Sequence, residues 1–332
     1  MLGTLLAQGR PLLADGATGT NLFAVGLTSG DNPELWNAVH PDRILALHQG
    51  FVDAGADIIL TNSFGGNRRR LMLHQLAGRT RELNRLAAEI ARSAADRAGR
   101  PVVVAGSVGP TGDLLAPLGP LGEDEAFDVF AEQIQGLKEG GADVIWIETM
   151  SAPDEIRAAA RAAGALAMPY AVTASFDTAG KTMMGMAPAD FAALTAAFDP
   201  RSLAFGANCG VGASDLVMSV LAMTQARPEA VVIAKANAGI PHWHGAHVHY
   251  SGTPELMADY AGLAIDAGAR IVGGCCGSTA AHVAAMRRAI DRHAAGARPQ
   301  LAEIVAALGP LVAPASTVPG RTRLRRRGSA AP

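Results

Sequence analysis

The sequence is short of cysteine, of aromatic residues and of charge. Its 332 residues include three Cys, 5% aromatic and 17% charged residues, and the formal net charge is −2. Three cysteines are too few, and odd in number, for the disulfide framework of a small secreted domain. A slightly negative chain also lacks the overall basic character of nucleic-acid-binding proteins. We therefore expect no nucleic-acid partner.

Long hydrophobic runs are missing as well. The apolar, uncharged stretches at residues 162–176 and 304–320 are interrupted by Gly and Pro and are too short to span a bilayer comfortably. The first residues lack the basic region that opens a signal peptide. From these absences we expect no membrane association and a cytoplasmic location.

What the sequence does contain is a regular alternation of strand and helix patterns. Helical 3.6-residue spacing of apolar residues appears at residues 83–94, 127–137 and 256–264. Eight short apolar runs without alternation indicate buried parallel strands. The predicted strands are Leu12–Ala14, Asp57–Thr61, Pro101–Ala105, Val144–Ile147, Tyr170–Thr173, Leu203–Phe205, Val231–Ala234 and Arg270–Val272. This order predicts an α/β fold, a single-domain (β/α)8 TIM barrel, with a doubly wound open sheet as the alternative.

The composition changes near residue 312. Residues 1–311 are predicted to form the barrel, and residues 312–332 are rich in Pro and Arg. We expect this tail to be solvated and disordered. A docking site for an acidic partner or for nucleic acid is the alternative.

All three cysteines follow predicted strands, at the end of a parallel barrel where active sites lie. Cys209 comes after the sixth strand, and Cys275 and Cys276 come after the eighth. Three thiolates make an open zinc site whose fourth position takes a substrate or water. In a structural zinc knuckle two to four residues separate the cysteines, whereas Cys275 and Cys276 are adjacent. This difference favours a catalytic site. A redox-active thiol pair and inert buried cysteines are the alternatives.

A zinc ion with three thiolates carries net negative charge and is better matched to a soft ligand than to water. Coordination would deprotonate a substrate thiol, of which only a few per cent is ionised at neutral pH. Such a thiolate would attack an electrophilic carbon. Asp15 and Glu148, which end the first and fourth strands, could hold the ammonium group of an amino-acid thiol. Alternatively, Asp15 caps a turn and Glu148 pairs with an Arg.

A histidine-rich segment follows the seventh strand. Residues 242–249 hold four of the nine histidines, and Trp243 and Tyr250 lie in or beside the segment. We expect a mobile lid that contributes one of these aromatic residues to the substrate pocket. A second metal site is the alternative.

Five segments of the chain resemble the homocysteine S-methyltransferases. They are Asp15-Gly16-x-x-Gly19-Thr20, Ala56-Asp57-Ile58-Ile59-x-Thr61-Asn62, Gly106-Ser107-Val108-Gly109-Pro110, Gly206-x-Asn208-Cys209-Gly210 and Gly273-Gly274-Cys275-Cys276-Gly277. The resemblance implies a barrel that holds zinc on the three cysteines and methylates homocysteine to methionine. It further implies that homocysteine takes the open zinc position, with its amino group near Asp15 and Glu148. Its pocket would be lined by Gly16, Thr61, Asn62 and Ser107.

The methyl donor is less well defined by the resemblance. Betaine-using members of the family have a tyrosine where this chain has Thr149, and an aromatic pair where it has Phe64-Gly65. An aromatic cage suits a quaternary ammonium, and Trp36, Trp243 or Tyr250 could rebuild one. We expect betaine, or a similar small onium compound, in a pocket formed by Phe64, Thr149, Trp243 and Tyr250.

Other donors and other activities remain open. Glu148-Thr149 and Asn237-Ala238-Gly239-x-Pro241 look closer to the homocysteine module of methionine synthase, so a partner protein carrying methylcobalamin is an alternative donor, as is S-methylmethionine. A metal-free thiol redox enzyme using Cys275 and Cys276 is an alternative of another class. A barrel that binds a thiol without converting it is a third.

Overall fold

The computed structural model describes residues 1–244 and 247–312, and for 241–244 and 247–249 it describes the backbone alone. Ten strands occur in this part of the chain. They are β1 (Leu12–Leu13), β2 (Ile58–Leu60), β3 (Val103–Val108), β4 (Val144–Met150), β5 (Tyr170–Ala174), β6 (Ala204–Cys209), β7 (Val232–Ala236), β8 (Pro241–His244), β9 (His247–Tyr250) and β10 (Ala269–Gly274). Eight of them overlap the predicted strands in order.

Thirteen α-helices connect or flank the strands within the described ranges. They are α1 (Leu2–Leu6), α2 (Gly19–Ala24), α3 (Trp36–Val39), α4 (Pro41–Asp53), α5 (Arg68–Met72), α6 (Thr80–Asp96), α7 (Glu123–Glu139), α8 (Pro153–Ala165), α9 (Pro188–Ala196), α10 (Ala213–Ala226), α11 (Pro254–Asp266), α12 (Ala280–Arg292) and α13 (Leu301–Leu308). The three predicted helical patterns fall in α6, α7 and α11. No helix in the described ranges is long and apolar enough to cross a membrane.

The eight parallel strands close into a barrel. The sheet order is β1-β10-β7-β6-β5-β4-β3-β2, with every pairing parallel. Its two edges meet where Ala14 bridges Ile58, and the Asp15 N–H donates to the carbonyl of Ile58 over 3.0 Å. The prediction of a (β/α)8 barrel is confirmed, and the open sheet is excluded because an open sheet leaves two unpaired edges.

Strands β8 and β9 stand apart from the barrel as a two-stranded antiparallel hairpin. The sequence analysis treated this histidine-rich segment as a lid loop and predicted no strands there. Histidines interrupt both strands, PHWH and HVHY, so neither forms the apolar run that predicted the barrel strands. The side chains of residues 241–249 lie outside the described residues, so the lid and the second metal site stay predictions.

The alternation of side chains along each strand places polar groups at one end of the barrel interior. On β4, Val144 and Trp146 face inward among buried apolar residues, and Glu148 continues the same face. On β7, Ile233 faces inward and Lys235 follows it. Apolar side chains thus fill the barrel interior toward the amino-terminal ends of the strands, and the interior layer nearer the carboxyl ends is polar.

The amino-terminal end of the barrel is covered by helix α1. Leu2 and Leu5 of this helix belong to the buried cluster of the barrel interior. At the other end of the chain, Ile304 of α13 is fully buried in the cluster between strands and helices. Residues 313–332, nearly all of the predicted tail, lie outside the described residues, so the domain division stays a prediction.

Leu2→Ala is expected to lower the free energy of unfolding by about 2–5 kcal/mol, because it removes a buried side chain from a packed core. Urea unfolding measures this change. Thr4→Ala, an exposed position in the same helix, is expected to stay within about 0.5 kcal/mol of wild type. Equal effects of the two substitutions would show that α1 does not close the barrel.

Candidate active site

A cavity of about 470 Å³ opens at the carboxyl ends of the barrel strands. Its size is in the range of small-molecule sites, and its position is that of TIM-barrel active sites. Ser107, Glu148, Cys209 and Lys235 line it from four different strands. Each of these residues is among the last three of its strand, whereas the sequence predicted strands that end before them. The predicted strands end too early because inward-facing polar residues interrupt the apolar run from which each strand was predicted.

The ends of two strands on either side of β5 are held in an unusual backbone conformation. Thr149 on β4 and Cys209 on β6 both have φ of +60°, a region that non-glycine residues rarely adopt. Asn208 fixes them together, since its Oδ1 accepts from the Thr149 N–H over 2.9 Å and its Nδ2 donates to the Thr149 hydroxyl over 2.7 Å. Strain of this kind persists where surrounding contacts impose it, often at functional sites. Here it accompanies the placement of the Cys209 thiol at the cavity.

The three cysteines meet in one cluster, as the sequence analysis predicted. The Sγ atoms of Cys209 and Cys276 are 3.9 Å apart, and all three Sγ atoms lie within 4.8 Å of one another. Tetrahedral bonds of about 2.3 Å to zinc would place sulfur atoms roughly 3.8 Å apart. Within the described ranges, this is the only group of three metal-ligating side chains so close together. The spacing therefore fits a zinc ion.

Without a bound cation, the cluster is only partly ionised. Hydrogen bonding with Cys275 and Cys276 raises the pKa of Cys209, while hydrogen bonds from the other two thiols lower the pKa of Cys276 to about 3. The cluster by itself favours one thiolate, and ionising all three requires a bound cation. Beside it, Asn237 donates to the carbonyl of Gly210, and its Oδ1 is buried with no partner in the described structure. An unsatisfied acceptor there also suits a cation.

Asp15 and Lys235 form a buried ion pair next to the cysteines. Lys235 Nζ lies 2.7 Å from Asp15 Oδ1, and the two side chains are 2% and 1% exposed. The other carboxylate oxygen of Asp15 accepts from the Leu60 N–H over 2.7 Å. Burial opposes the charge of Lys235, but the carboxylates of Asp15 and Glu148 outweigh burial and hold its pKa above the usual value. Asp15 is thus already neutralised within the protein.

Glu148, unlike Asp15, has no ion-pair partner in the described structure. It is buried and lines the cavity, and its Oε1 accepts from the Ser107 hydroxyl over 2.5 Å. Burial, and then the negative Cys275 sulfur, raise the pKa of Glu148 to about 7. No Arg pairs with it in the described structure. A cation entering the cavity would favour its ionised form, as the ammonium group of a substrate would.

The other predicted pocket residues also line the cavity. The hydroxyl of Thr61 accepts from the Ser107 N–H over 3.0 Å, which joins the ends of β2 and β3. The side chain of Asn62 donates to Pro33 and Asn37, so its amide is used to anchor the connection between β1 and β2. A Cβ at Gly16 would come within 2.7 Å of a backbone carbonyl, so only glycine fits there.

Aromatic residues lie at the outer part of the cavity. Phe64 and Phe23 line it and are 39% and 54% exposed. The Phe64 ring leans on Gly109, where a Cβ would lie 2.5 Å from the ring. Glu34, which also lines the cavity, accepts from the Gly65 N–H over 2.6 Å and is almost fully buried. Two aromatic faces and one carboxylate therefore surround this part of the cavity.

The remaining aromatic candidates lie elsewhere. The Tyr250 side chain packs on Gly277, the residue after Cys276, and its hydroxyl helps to lower the pKa of the Cys276 thiol, so Tyr250 is placed at the thiol cluster. Trp36 is buried in a separate cluster beneath Arg43 and does not line the cavity. The side chain of Trp243 lies outside the described residues.

Three features of the site were not predicted from the sequence. They are Lys235, Glu34 and the two hydrogen bonds from Asn208 to Thr149. Lys235 had a readable signal, because a lysine directly after Val231–Ala234 extends a buried strand by one charged residue. The candidate site residues predicted at the end of this strand began only at Asn237, two residues beyond Lys235. Glu34 gave no signal, since it comes from the long connection between β1 and β2.

The fold and the site together define a (β/α)8 barrel with a cluster of three thiols at the carboxyl ends of its strands. The chain belongs to the homocysteine S-methyltransferase family, whose sequence profile matches residues 12–290. The predicted resemblance is confirmed.

Individual relatives agree with this assignment. The methionine synthases of Mycobacterium tuberculosis and Mycobacterium leprae are each 30% identical to the chain, over 85% and 86% of its length. The chain spans about a quarter of the length of these two proteins, 25% in each case. The metallated form of the homocysteine methyltransferase MmuM from Escherichia coli has a TM-score of 0.72 and 25% identity, and the match covers 86% of this chain and 98% of MmuM.

Proposed function

We propose that the protein transfers a methyl group to the sulfur of homocysteine, giving methionine, with a zinc ion on Cys209, Cys275 and Cys276. The observation that carries the proposal is the three-thiol cluster beside Glu148 in one cavity. When bound there, zinc would hold the substrate sulfur as a nucleophilic thiolate. A thiol amino acid supplies both partners, a soft sulfur for the metal and an ammonium group for the carboxylate.

The chain's own residues orient the substrate. Glu148 is the acidic side chain that faces the inner cavity with an oxygen free, because Ser107 bonds only its Oε1. Ser107 and Thr61 fix the floor beside it. Holding the amino group there, while the sulfur sits at the cysteines, sets the sulfur toward the open mouth where a donor enters.

For the donor we propose a small onium compound, betaine first. Support comes from the mouth of the cavity, where Phe64, Phe23 and the carboxylate of Glu34 lie together. Aromatic faces attract a quaternary ammonium or a sulfonium group. S-Methylmethionine, a sulfonium, meets the same requirement. The cavity volume of about 470 Å³ leaves room for a donor beside homocysteine.

A methyl group carried on a partner corrinoid protein is the second candidate. Exposed apolar side chains occur on several of the loops that follow the strands at the catalytic end. They are Leu73 after β2, Leu114 and Leu118 after β3, and Met183 after β5. Apolar side chains exposed together mark interaction surfaces. The relatives named methionine synthase are also about four times longer than this chain, and so contain further modules.

Donor specificity separates the two candidates. Methionine formation from homocysteine is measured with betaine, S-methylmethionine and a methylcobalamin-loaded corrinoid protein in turn. The onium proposal predicts turnover with betaine, and a roughly fivefold higher KM for betaine in Phe64→Leu because a cation–π contact is worth about 1 kcal/mol. Homocysteine affinity should stay unchanged in that variant. Met183→Leu, exposed on the same face, serves as the control.

Turnover with the corrinoid protein alone would replace the first donor proposal with the second. In that case Leu118→Asp should slow methyl transfer from the partner, because it places a charge on the apolar loop surface. No methionine from any of the donors would contradict the proposed function itself.

A further inference from the structure

Lys235 is the one cationic side chain among the described residues that line the cavity. Glu34 and Glu148 line the same space, and the sulfur cluster lies on its wall. Apart from Lys235, the ionisable side chains of the described wall are therefore carboxyl and thiol groups, which can carry only negative charge. An amino-acid thiol brings a carboxylate of its own, which such a wall would repel unless a cation receives it.

The position of the Lys235 ammonium fits that task. Its side chain is fully buried above the ring of Trp146, with Nζ 5.9 Å from the ring centroid. Nζ donates to Asp15 Oδ1 over 2.7 Å and approaches the Asp15 carbonyl at 3.4 Å. An ammonium has three N–H donors, so one has no partner in the described structure. A buried cation held in place by a carboxylate, with a free donor toward a cavity, is preorganised for an anion.

The ion pair also changes the role of Asp15. Both of its carboxylate oxygens are engaged, by Lys235 and by the Leu60 N–H. The substrate ammonium is then left to Glu148. The inner part of the cavity presents the carboxylate of Glu148 and the ammonium of Lys235, a pattern that complements a zwitterion.

We propose that Lys235 binds the carboxylate of the thiol substrate and restricts the site to thiols that carry a free carboxylate. The inference rests on the proposed function, because it concerns the same thiol. Lys235 is a specificity-determining residue in this account. It takes no part in the bond changes of the methyl transfer.

The test compares thiols that differ by one charged group. Binding is measured by isothermal titration of the zinc-loaded full chain with homocysteine, with 3-aminopropanethiol, which lacks the carboxylate, and with 4-mercaptobutanoate, which lacks the ammonium. Wild type should prefer homocysteine over 3-aminopropanethiol by roughly 10- to 100-fold, the range of a charge-assisted hydrogen bond. No methyl donor is needed for this measurement.

The variants remove the cation in two ways. Lys235→Met combined with Asp15→Asn deletes the ion pair together, so that no unpaired charge is left buried and the net charge of the cavity is kept. Lys235→Gln keeps a hydrogen-bond donor for Asp15 but removes the positive charge. In each variant that unfolds cooperatively, the preference for homocysteine over 3-aminopropanethiol should fall to about twofold or less, with 3-aminopropanethiol affinity close to wild type in the double variant.

Two results would overturn the inference. One is a full preference for homocysteine in both variants, which would show that the carboxylate is bound elsewhere. The other is an equal loss of affinity for both thiols, which would show that Lys235 only supports the barrel interior. Failure of wild type to bind homocysteine at all is a separate result, because it would contradict the proposed function as well.

Discussion

Cys209→Ala is expected to lower zinc affinity by more than about a hundredfold and to lower the rate of methyl transfer by a similar factor. Loss of a partner that only orients a metal ligand already costs about 10- to 100-fold in affinity or activity, so loss of a ligand should cost more. The metal-free forms of variant and wild type should differ by less than about 1 kcal/mol in unfolding free energy, since Cys209 is partly exposed at a strand end.

Zinc per chain, measured on protein purified without chelator, checks this prediction together with the unfolding midpoint. Cys275→Ala and Cys276→Ala should give the same loss. Met183→Ala, exposed at the same end of the barrel, is the control and should retain full zinc. Retention of zinc and rate in Cys209→Ala would remove that residue from the ligand set. Full activity after chelation would favour the metal-free redox alternative.

Glu148→Gln is expected to weaken homocysteine binding by roughly 10- to 100-fold, because a buried charged hydrogen bond to the substrate ammonium is replaced by a neutral one. Zinc content should not change, since the carboxylate is not a ligand in this account. The size is preserved and the Ser107 hydroxyl can still donate to the amide oxygen. Titration calorimetry with homocysteine on zinc-loaded protein measures the effect.

Glu155→Gln provides a matched control. Glu155 is as buried as Glu148 and accepts from the backbone and hydroxyl of Thr111 over 2.7 and 2.6 Å, but it does not line the cavity. Its substitution should leave homocysteine affinity within about twofold of wild type. If Glu148→Gln loses zinc and homocysteine in equal measure, its carboxylate supports the metal site, and the ammonium contact is wrong.

The barrel could be predicted because buried parallel strands are continuous apolar runs, and eight of them alternate with helices. The ends of the strands could not. Ser107, Glu148 and Cys209 belong to β3, β4 and β6, yet each breaks the apolar pattern because it faces the inner, polar layer. Hydrophobicity marks where a strand is packed in apolar surroundings, and in this barrel the strands continue past that point.

The site was predictable where residue type limits the chemistry and not where tertiary contacts decide it. Three cysteines at two strand ends identified the thiol cluster, because few other arrangements use them. The pairing of Asp15 with Lys235 depends on β1 and β7 lying on either side of β10, and no local sequence pattern records that arrangement. Trp36 was an aromatic candidate for the donor, but the long connection after β1 buries it in its own cluster.

The measurement that tests the central claim most directly is zinc X-ray absorption on the full chain, with and without homocysteine. The account predicts three sulfur ligands at about 2.3 Å in the free protein and a fourth at a similar distance after homocysteine is added. Homoserine, which has a hydroxyl where homocysteine has its thiol, should add no sulfur ligand and is the control. An unchanged ligand set with bound homocysteine would contradict the claim that the substrate sulfur binds at the three cysteines.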